Sequence, residues 1–356
     1  MKRLSWPSWM PIDPYVLLLL GTVCIAALLP ARGTAADVAS GASTAAIAFL
    51  FFLYGVRLST REAVDGLRHW RLHVTVLVCT FVVFPALGLA ARGLVPVLLT
   101  HPLYQGFLFL TLVPSTIQSS IAFTSIARGN VPAAICAGSF SSLIGIVLTP
   151  LLAAALLGSS GGGFSADSIV KIVLQLLVPF VAGQLLRRWI GEFIARHKKI
   201  LGVVDRGSIL LVVYTAFSEG MVRGIWHQVS AVRLAGLLAV EAVLLAVMLL
   251  LTWYGAKALG FGRGDRIAIQ FAGSKKSLAS GLPMASVLFG AHASLAVLPL
   301  MLFHQMQLMV CAVIAKRRAH DPEAQESQES QDEDAVPPAA PAAESRSAVG
   351  TGTSGR

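Results

Sequence analysis

Charged residues are scarce in this chain of 356 residues. Asp, Glu, Lys and Arg together make up 13% of the sequence, against roughly 25% in soluble domains. Hydrophobic residues make up 55%. So few charges cannot provide a solvated surface around a core of that size, because long apolar runs follow one another with only short polar breaks. The composition predicts a polytopic membrane protein.

Cysteine is also rare, and several catalytic motifs are absent. Cys24, Cys79, Cys136 and Cys311 lie in apolar stretches with neither CxxC nor Cys/His spacing, so we expect neither a disulfide framework nor a metal site. The sequence has no P-loop, GxSxG elbow or HExxH helix. We therefore expect no enzymatic activity, no cofactor and no ATP-driven transport.

The charges that are present divide unevenly along the chain. Residues 1–318 carry 26 Lys and Arg against 10 Asp and Glu, a net charge of +16, whereas residues 319–356 carry 2 against 8, a net charge of −6. The basic residues lie between apolar runs, without a basic stripe interleaved with aromatics. This distribution favours contact with membrane lipid over nucleic acid.

Ten apolar spans are predicted, most of them near the ~20 residues needed to cross a bilayer. They cover residues 14–30, 37–56, 73–91, 102–127, 131–156, 168–186, 204–222, 231–257, 266–290 and 292–315. Lys2 and Arg3 before the first span resemble the start of a signal peptide. Nine further spans favour an uncleaved first helix.

Basic residues alternate in number between the two sides of these spans. One side receives 19 Lys and Arg and the other 5, so the positive-inside rule places both termini in the cytoplasm. The protein is accordingly expected in the plasma membrane, which is the inner membrane of a bacterium.

A Gly/Ser run, GSSGGGFSAD at 158–167, separates two halves of five spans each. Because five is odd, the second half enters the membrane with opposite polarity, as in the inverted repeats of secondary transporters. The expected organisation is a cytoplasmic N-terminus (1–13), a first repeat (14–156), an outer linker (157–167), a second repeat (168–315) and an acidic cytoplasmic tail (316–356), whose composition predicts disorder.

The fourth span of each half is interrupted by polar residues. Proline removes a backbone donor and hydroxyls bond freed backbone groups, so both spans are predicted to be discontinuous helices lining a binding site. In the fourth span the candidate site residues beside Pro114 are Ser115, Thr116, Gln118, Ser119 and Ser120. In the ninth span they are Gly273, Ser274, Lys275, Lys276 and Ser277, and Gly273 and Pro283 are expected to border this second break.

Two adjacent lysines in a membrane span demand an explanation, because a cation near the bilayer centre costs at least ~2.5–3.5 kcal/mol. One of them could bind an anionic substrate, replace a bound cation or exchange a proton. Alternatively, one or both could cap a half-helix or pair with Glu219 or Glu241. Ser139, Ser141 and Ser142 on the fifth span are read either as packing residues or as oxygen ligands for a cation.

Three stretches resemble the bile acid:sodium symporter superfamily, in particular its branch of bacterial proteins similar to the seventh member of human solute carrier family 10. They are FFLYGVRLSTREAVDGLRHWRLH, PSTIQSSIAFTSIARGNVPAAICAGSFSSLIGIVLTPLL and FAGSKKSLASGLPM. The resemblance covers residues 14–315. It implies ten helices in two inverted repeats, a panel of spans 1, 2, 6 and 7, a core of spans 3–5 and 8–10, and broken spans 4 and 9 that cross at the site.

One departure from the family limits what the resemblance implies. Sodium-coupled members carry a glutamate and a glutamine on the ninth span as sodium ligands, and these positions fall on Phe271 and Lys275 here. The sequence therefore predicts an ion-coupled transporter of a small organic anion, driven by sodium or protons, without predicting those sodium sites. The alternative is a membrane regulator of calcium homeostasis that transports nothing. The substrate and the oligomeric state are not predicted.

Overall fold

A computed structural model describes residues 14–57, 69–158, 166–222, 224, 230–290 and 293–321. All regular structure in these ranges is helical. The helices are α1 (Pro14–Leu28), α2 (Thr34–Arg57), α3 (Trp70–Leu94), α4 (His101–Leu112), α5 (Gln118–Ile126), α6 (Val131–Gly158), α7 (Ala166–Arg196), α8 (Lys198–Val222), α9 (Ala231–Ala258), α10 (Arg263–Gly273), α11 (Leu278–Phe289) and α12 (Ala293–Ala319).

Six helices, α2, α3, α6, α8, α9 and α12, are long and apolar enough to cross a membrane. Every predicted span overlaps one of the helices, and the fourth and ninth spans each correspond to two short helices in sequence, α4 with α5 and α10 with α11. The chain is an all-helical polytopic membrane protein, as the composition predicts.

The two interruptions differ in their relation to proline. Pro114 lies in the break itself, between the end of α4 at Leu112 and the start of α5 at Gln118. Pro283 lies inside α11, six residues after its N-cap Ser277. The expectation that Pro283 borders the second break is therefore wrong, and the break is confined to residues 274–277.

Helix α3 contains a π-helical turn at Cys79–Val83. Its cause is Pro85, which has no N–H to donate to the preceding turn. The N–H of Phe84 bonds the carbonyl of Cys79, five residues back. As a result the carbonyl of Thr80 has no main-chain donor, because its next partner in a π-helical register would be Pro85.

Helices α2 and α7 pack with their backbones in contact. A Cβ at Gly55 would clash with the carbonyl of Phe180, and a Cβ at Gly183 would clash with the carbonyl of Phe52. Only glycine allows this reciprocal approach, which is the close packing typical of membrane helices. Replacing either glycine would separate the two helices.

Basic side chains collect at one end of the helix bundle. Arg263 donates to the carbonyls of Arg128 and Arg318 at 3.2 and 2.6 Å, and Arg71 donates to the carbonyl of Leu259 at 3.1 Å. The guanidinium of Arg318 lies 3.3 Å from the ring centroid of Trp253. Three predicted inner loops and the C-terminal end of α12 thus meet at the same end.

The described residues from 14 to 319 form one compact unit, and residues 320 and 321 belong to a second one. The predicted N-terminus (1–13), most of the Gly/Ser linker and the acidic tail beyond residue 321 lie outside the described residues.

Candidate binding site at the two helix breaks

The break after α4 exposes main-chain carbonyls that find partners on other helices. Thr149 Oγ1 on α6 donates to the carbonyl of Leu112 at 2.8 Å. The N–H of Ser277 donates to the carbonyl of Pro114, also at 2.8 Å, which joins the two breaks directly. Buried backbone groups need such partners because no water replaces them within a bilayer.

The break after α10 is sealed by hydroxyl groups. Ser115 Oγ bonds the carbonyl of Ala272. Ser120 Oγ lies 2.9 Å from the carbonyl oxygen of Phe271. Ser274 Oγ donates to the carbonyl of Gln270, four residues earlier in the chain. The last carbonyls of α10 are thus bonded by serines, two of which come from the fourth span.

Helix α6 presents small residues to the first break. A Cβ at Gly145 would lie 2.7 Å from Pro114 Cβ, and Ser141 Oγ accepts a hydrogen bond from the N–H of Ser115 at 2.9 Å. Glycine and serine at these positions let the interrupted chain lie directly against α6. The fifth predicted span, α6, therefore packs directly against the first break.

Lys276 is fully buried and its ammonium has acceptors on three sides. Nζ donates to the carbonyl oxygens of Thr80, Thr111 and Val113 at 2.9, 2.7 and 2.8 Å. The ring centroid of Phe84 lies 4.1 Å away. All three ammonium protons have an oxygen acceptor, so this lysine links the π turn of α3 to the end of α4.

The backbone of Lys276 is fixed as well. Gln307 on α12 accepts from its N–H and donates to its carbonyl, each at 2.8 Å. The amide of Gln307 also lies 2.8 Å from His304 Nδ1. The two bonds to Lys276 therefore hold the second break against α12.

Lys275 is also fully buried but has far fewer polar contacts. Its Nζ lies 3.2 Å from Ser119 Oγ, 4.6 Å from the ring centroid of Phe123 and 5.6 Å from that of Phe271. One hydroxyl uses one of the three ammonium donors. The contacts described for Lys275 include no carboxylate.

The predicted site residues thus fall into two groups. Four serines bond backbone groups at the breaks: Ser115, Ser120, Ser141 and Ser274. The others differ in exposure. Gln118 is exposed, Ser119, Ser139 and Ser142 are half-buried, and Thr116, Gly273 and Ser277 are buried. Ser277 is the N-cap of α11 and accepts from the N–H of Ser280.

Sequence reasoning did not identify the groups that surround the lysines. Phe123 carried a weak signal, since it follows Ser119 by four residues on one helix and so shares its face. Thr80 carried none in its own side chain, because its carbonyl is the group used. Pro85, five residues later, is the only hint that this carbonyl is free.

Comparisons with known proteins agree with this architecture. Residues 13–320 match the SBF-like CPA transporter family. The chain is 54% identical to an uncharacterized protein of Pseudomonas aeruginosa, over 89% of this chain and 95% of that protein. It is 50% identical to the Escherichia coli protein named "Putative symporter YfeH", over 86% and 92%. It is 31% identical to the sodium/bile acid cotransporter 7 of Mus musculus, over 76% and 80%.

The chain therefore belongs to the SBF-like CPA transporter family, within the bile acid:sodium symporter superfamily. It is a multi-pass membrane transporter of that family and not an enzyme. This confirms the family that the three sequence stretches indicate, two of which include the helix breaks.

Proposed function

We propose that this protein is an ion-coupled secondary transporter of a small organic anion that works by alternating access. Its ten membrane crossings would form two inverted five-helix repeats, with α4/α5 and α10/α11 as the interrupted fourth and ninth crossings. Support for this arrangement comes from the two breaks, which have corresponding positions in the two halves and bond each other through Ser277 and Pro114.

The single observation that carries the anion proposal is the unused donor capacity of Lys275. Its ammonium contacts one hydroxyl, Ser119 Oγ, and two phenyl rings. A carboxylate or sulfonate on the substrate would supply the missing acceptors. A hydrogen bond between an ammonium group and an anionic oxygen is stronger than one between neutral groups, which favours substrate recognition by Lys275.

Helix orientation supports the same charge preference. The N-termini of α5 and α11 adjoin the two breaks, and the N-terminal end of a helix carries partial positive charge that favours anions. Lys275 is 0% exposed in this conformation. Substrate access therefore requires relative movement of the surrounding helices, which alternating access provides.

A gradient of ions is the proposed source of energy. Relatives named as symporters and sodium cotransporters support coupling to sodium, and protons are the other candidate. The relatives' names apply to those proteins, and this chain has Lys275 where the family's sodium-coupled members carry a sodium ligand.

The proposed location is the bacterial inner membrane with both termini in the cytoplasm. Support comes from the arginine cluster at one end of the bundle, formed by Arg71, Arg263 and Arg318. Cysteines introduced at Ala258 and Val97, both exposed, test the orientation. An impermeant maleimide applied to intact cells should label Val97→Cys and leave Ala258→Cys unlabelled, and the reverse labelling would overturn it.

Transport is tested with the purified full chain in liposomes. A thermal-shift screen of mono- and dicarboxylates and sulfonates selects ligands that raise the melting temperature, and uptake of these is measured with sodium or proton gradients. We expect uptake by the native protein and at least a tenfold loss in Lys275→Met. The matched control is Lys257→Met, at an exposed lysine of α9, which should transport normally. No uptake under any gradient would favour a regulator without transport activity.

A further inference from the structure

Three main-chain carbonyls converge on one point between α3, α4 and the second break. The carbonyl of Thr80 is free because Phe84 bonds Cys79 and Pro85 has no N–H. This oxygen cannot be satisfied within its own helix. It therefore requires a donor from elsewhere in the protein.

The other two carbonyls lie at the end of α4. In a continuing helix the carbonyl of Thr111 would accept from the N–H of Ser115, but that N–H bonds Ser141 Oγ instead. Val113 follows the last residue of α4. The C-terminal end of a helix carries partial negative charge, so the two oxygens add to an electronegative point inside the membrane.

The surroundings of this point favour a cation without supplying an anion. The three oxygens lie 2.7 to 2.9 Å from one atom, Lys276 Nζ, and the ring centroid of Phe84 lies 4.1 Å from it. Carbonyl oxygens replace the hydration shell of K⁺ in channel filters. An aromatic face adds further attraction for a cation.

We propose that these three carbonyls and the Phe84 ring form a monovalent-cation site, and that Lys276 occupies it permanently with its own ammonium group. Ammonium and K⁺ have nearly equal radii, so contacts of this length suit K⁺ without movement of the backbone. The smaller Na⁺ would need the carbonyls to move inward. Removal of the lysine side chain therefore leaves a site that prefers K⁺ or NH₄⁺ over Na⁺.

Because the ammonium group of Lys276 is covalently attached to the chain, it cannot leave the site. A free ion at this position could dissociate, and three buried carbonyls would then lose their only described donors or ligands. The lysine side chain prevents this loss, so the junction of α3, α4 and α11 does not depend on the ions in solution. This inference concerns cation binding by the purified protein and is independent of the proposed transport activity.

The test compares Lys276→Ala with Lys276→Met in detergent. The melting temperature of each full-length protein is measured in KCl, NH₄Cl, NaCl and choline chloride at equal concentration. For Lys276→Ala we expect a melting temperature higher in KCl and NH₄Cl than in choline chloride by about 3 °C or more, with a smaller rise in NaCl. For the native protein and Lys276→Met, we expect no selective response, since ammonium or thioether fills the space.

The result that would overturn the proposal is a Lys276→Ala protein whose melting temperature is the same in all four salts. Failure of Lys276→Ala to fold in KCl and NH₄Cl would overturn it equally, because a filled site should make this variant at least as stable as Lys276→Met. A matched response in Lys275→Ala would also contradict it, since no carbonyl cluster surrounds Lys275 Nζ.

Discussion

Lys275 and Lys276 are adjacent in sequence, equally buried and chemically identical, yet their ammonium groups lie in opposite environments. Lys276 Nζ donates to three carbonyls. Lys275 Nζ has one hydroxyl and two aromatic rings. The first environment provides an acceptor for each of the three ammonium N–H groups, and the second leaves donors for a ligand.

This difference allows two adjacent lysines of one broken helix to have separate roles, a structural one for Lys276 and, under the proposed function, substrate binding for Lys275. Residues 274–277 lie between α10 and α11, and successive side chains in such a segment point in different directions. Lys276 is directed to the end of α4, and Lys275 to the face of α5 that carries Ser119 and Phe123. The contacts of Lys275 are the reason it, and not Lys276, is the residue proposed to bind substrate.

The largest expected effect separates the two lysines by stability. Lys276→Met leaves three buried carbonyls without their donor, and at ~1–3 kcal/mol for each unsatisfied group we expect a loss of about 3 kcal/mol or more. Lys275→Met removes one hydrogen bond together with a buried charge, so its stability should change by about 1 kcal/mol or less. Thermal unfolding of both variants in detergent measures the difference. Equal losses of stability in the two variants would contradict the different roles given to the two lysines.

The second effect concerns the backbone of Lys276. Gln307→Leu removes the acceptor for its N–H and the donor to its carbonyl, and two unpaired buried groups should cost about 2–6 kcal/mol. Met309→Leu is the matched control, because Met309 is 43% exposed on the same helix and should change stability by ~0.5 kcal/mol or less. A similar melting temperature for both variants would contradict the role given to Gln307.

The third effect concerns the first break alone. Thr149→Val keeps the side-chain shape but removes the donor to the carbonyl of Leu112, which should cost about 1–3 kcal/mol. Thr75→Val is the control, since Thr75 Oγ1 bonds a carbonyl of its own helix in an exposed setting. We expect a melting temperature clearly lower for the first variant. If Thr75→Val lowers the melting temperature as much as Thr149→Val does, the loss is a general effect of removing a threonine hydroxyl and not of the bond to Leu112.

Much of this arrangement could be predicted from the sequence, because it follows from strong local signals. Apolar runs of membrane-spanning length locate the helices, and Pro114 with its neighbouring serines locates the first break. The lysine charges mark the second break, since charges inside a membrane span are costly. These features depend on residue type and spacing, and both can be read from one chain.

The different environments of the two lysines could not be predicted, because they depend on groups distant in sequence. Thr80 lies 196 residues from Lys276, and its role depends on a free carbonyl rather than on its side chain. Likewise Ser115 Oγ bonds the carbonyl of Ala272, and Ser120 Oγ lies within hydrogen-bond distance of the carbonyls of Thr116 and Phe271. A hydroxyl near a break can bond backbone or substrate, and only its position decides.

The smallest expected effect tests the hydroxyl beside Lys275. Ser119→Ala removes the one hydrogen-bond acceptor described for Lys275 Nζ, which loosens the ammonium without removing its charge. Since Ser119 is only half-buried, stability should fall by about 1 kcal/mol or less. A substrate bound by Lys275 would then be held less precisely, and we expect transport to fall about threefold to tenfold, as for one hydrogen bond of 0.5–1.5 kcal/mol. Ser125→Ala, at an exposed serine of the same helix, should transport at the native rate. If both variants transport normally while Lys275→Met does not, the ammonium acts without Ser119, and the two phenyl rings alone orient it.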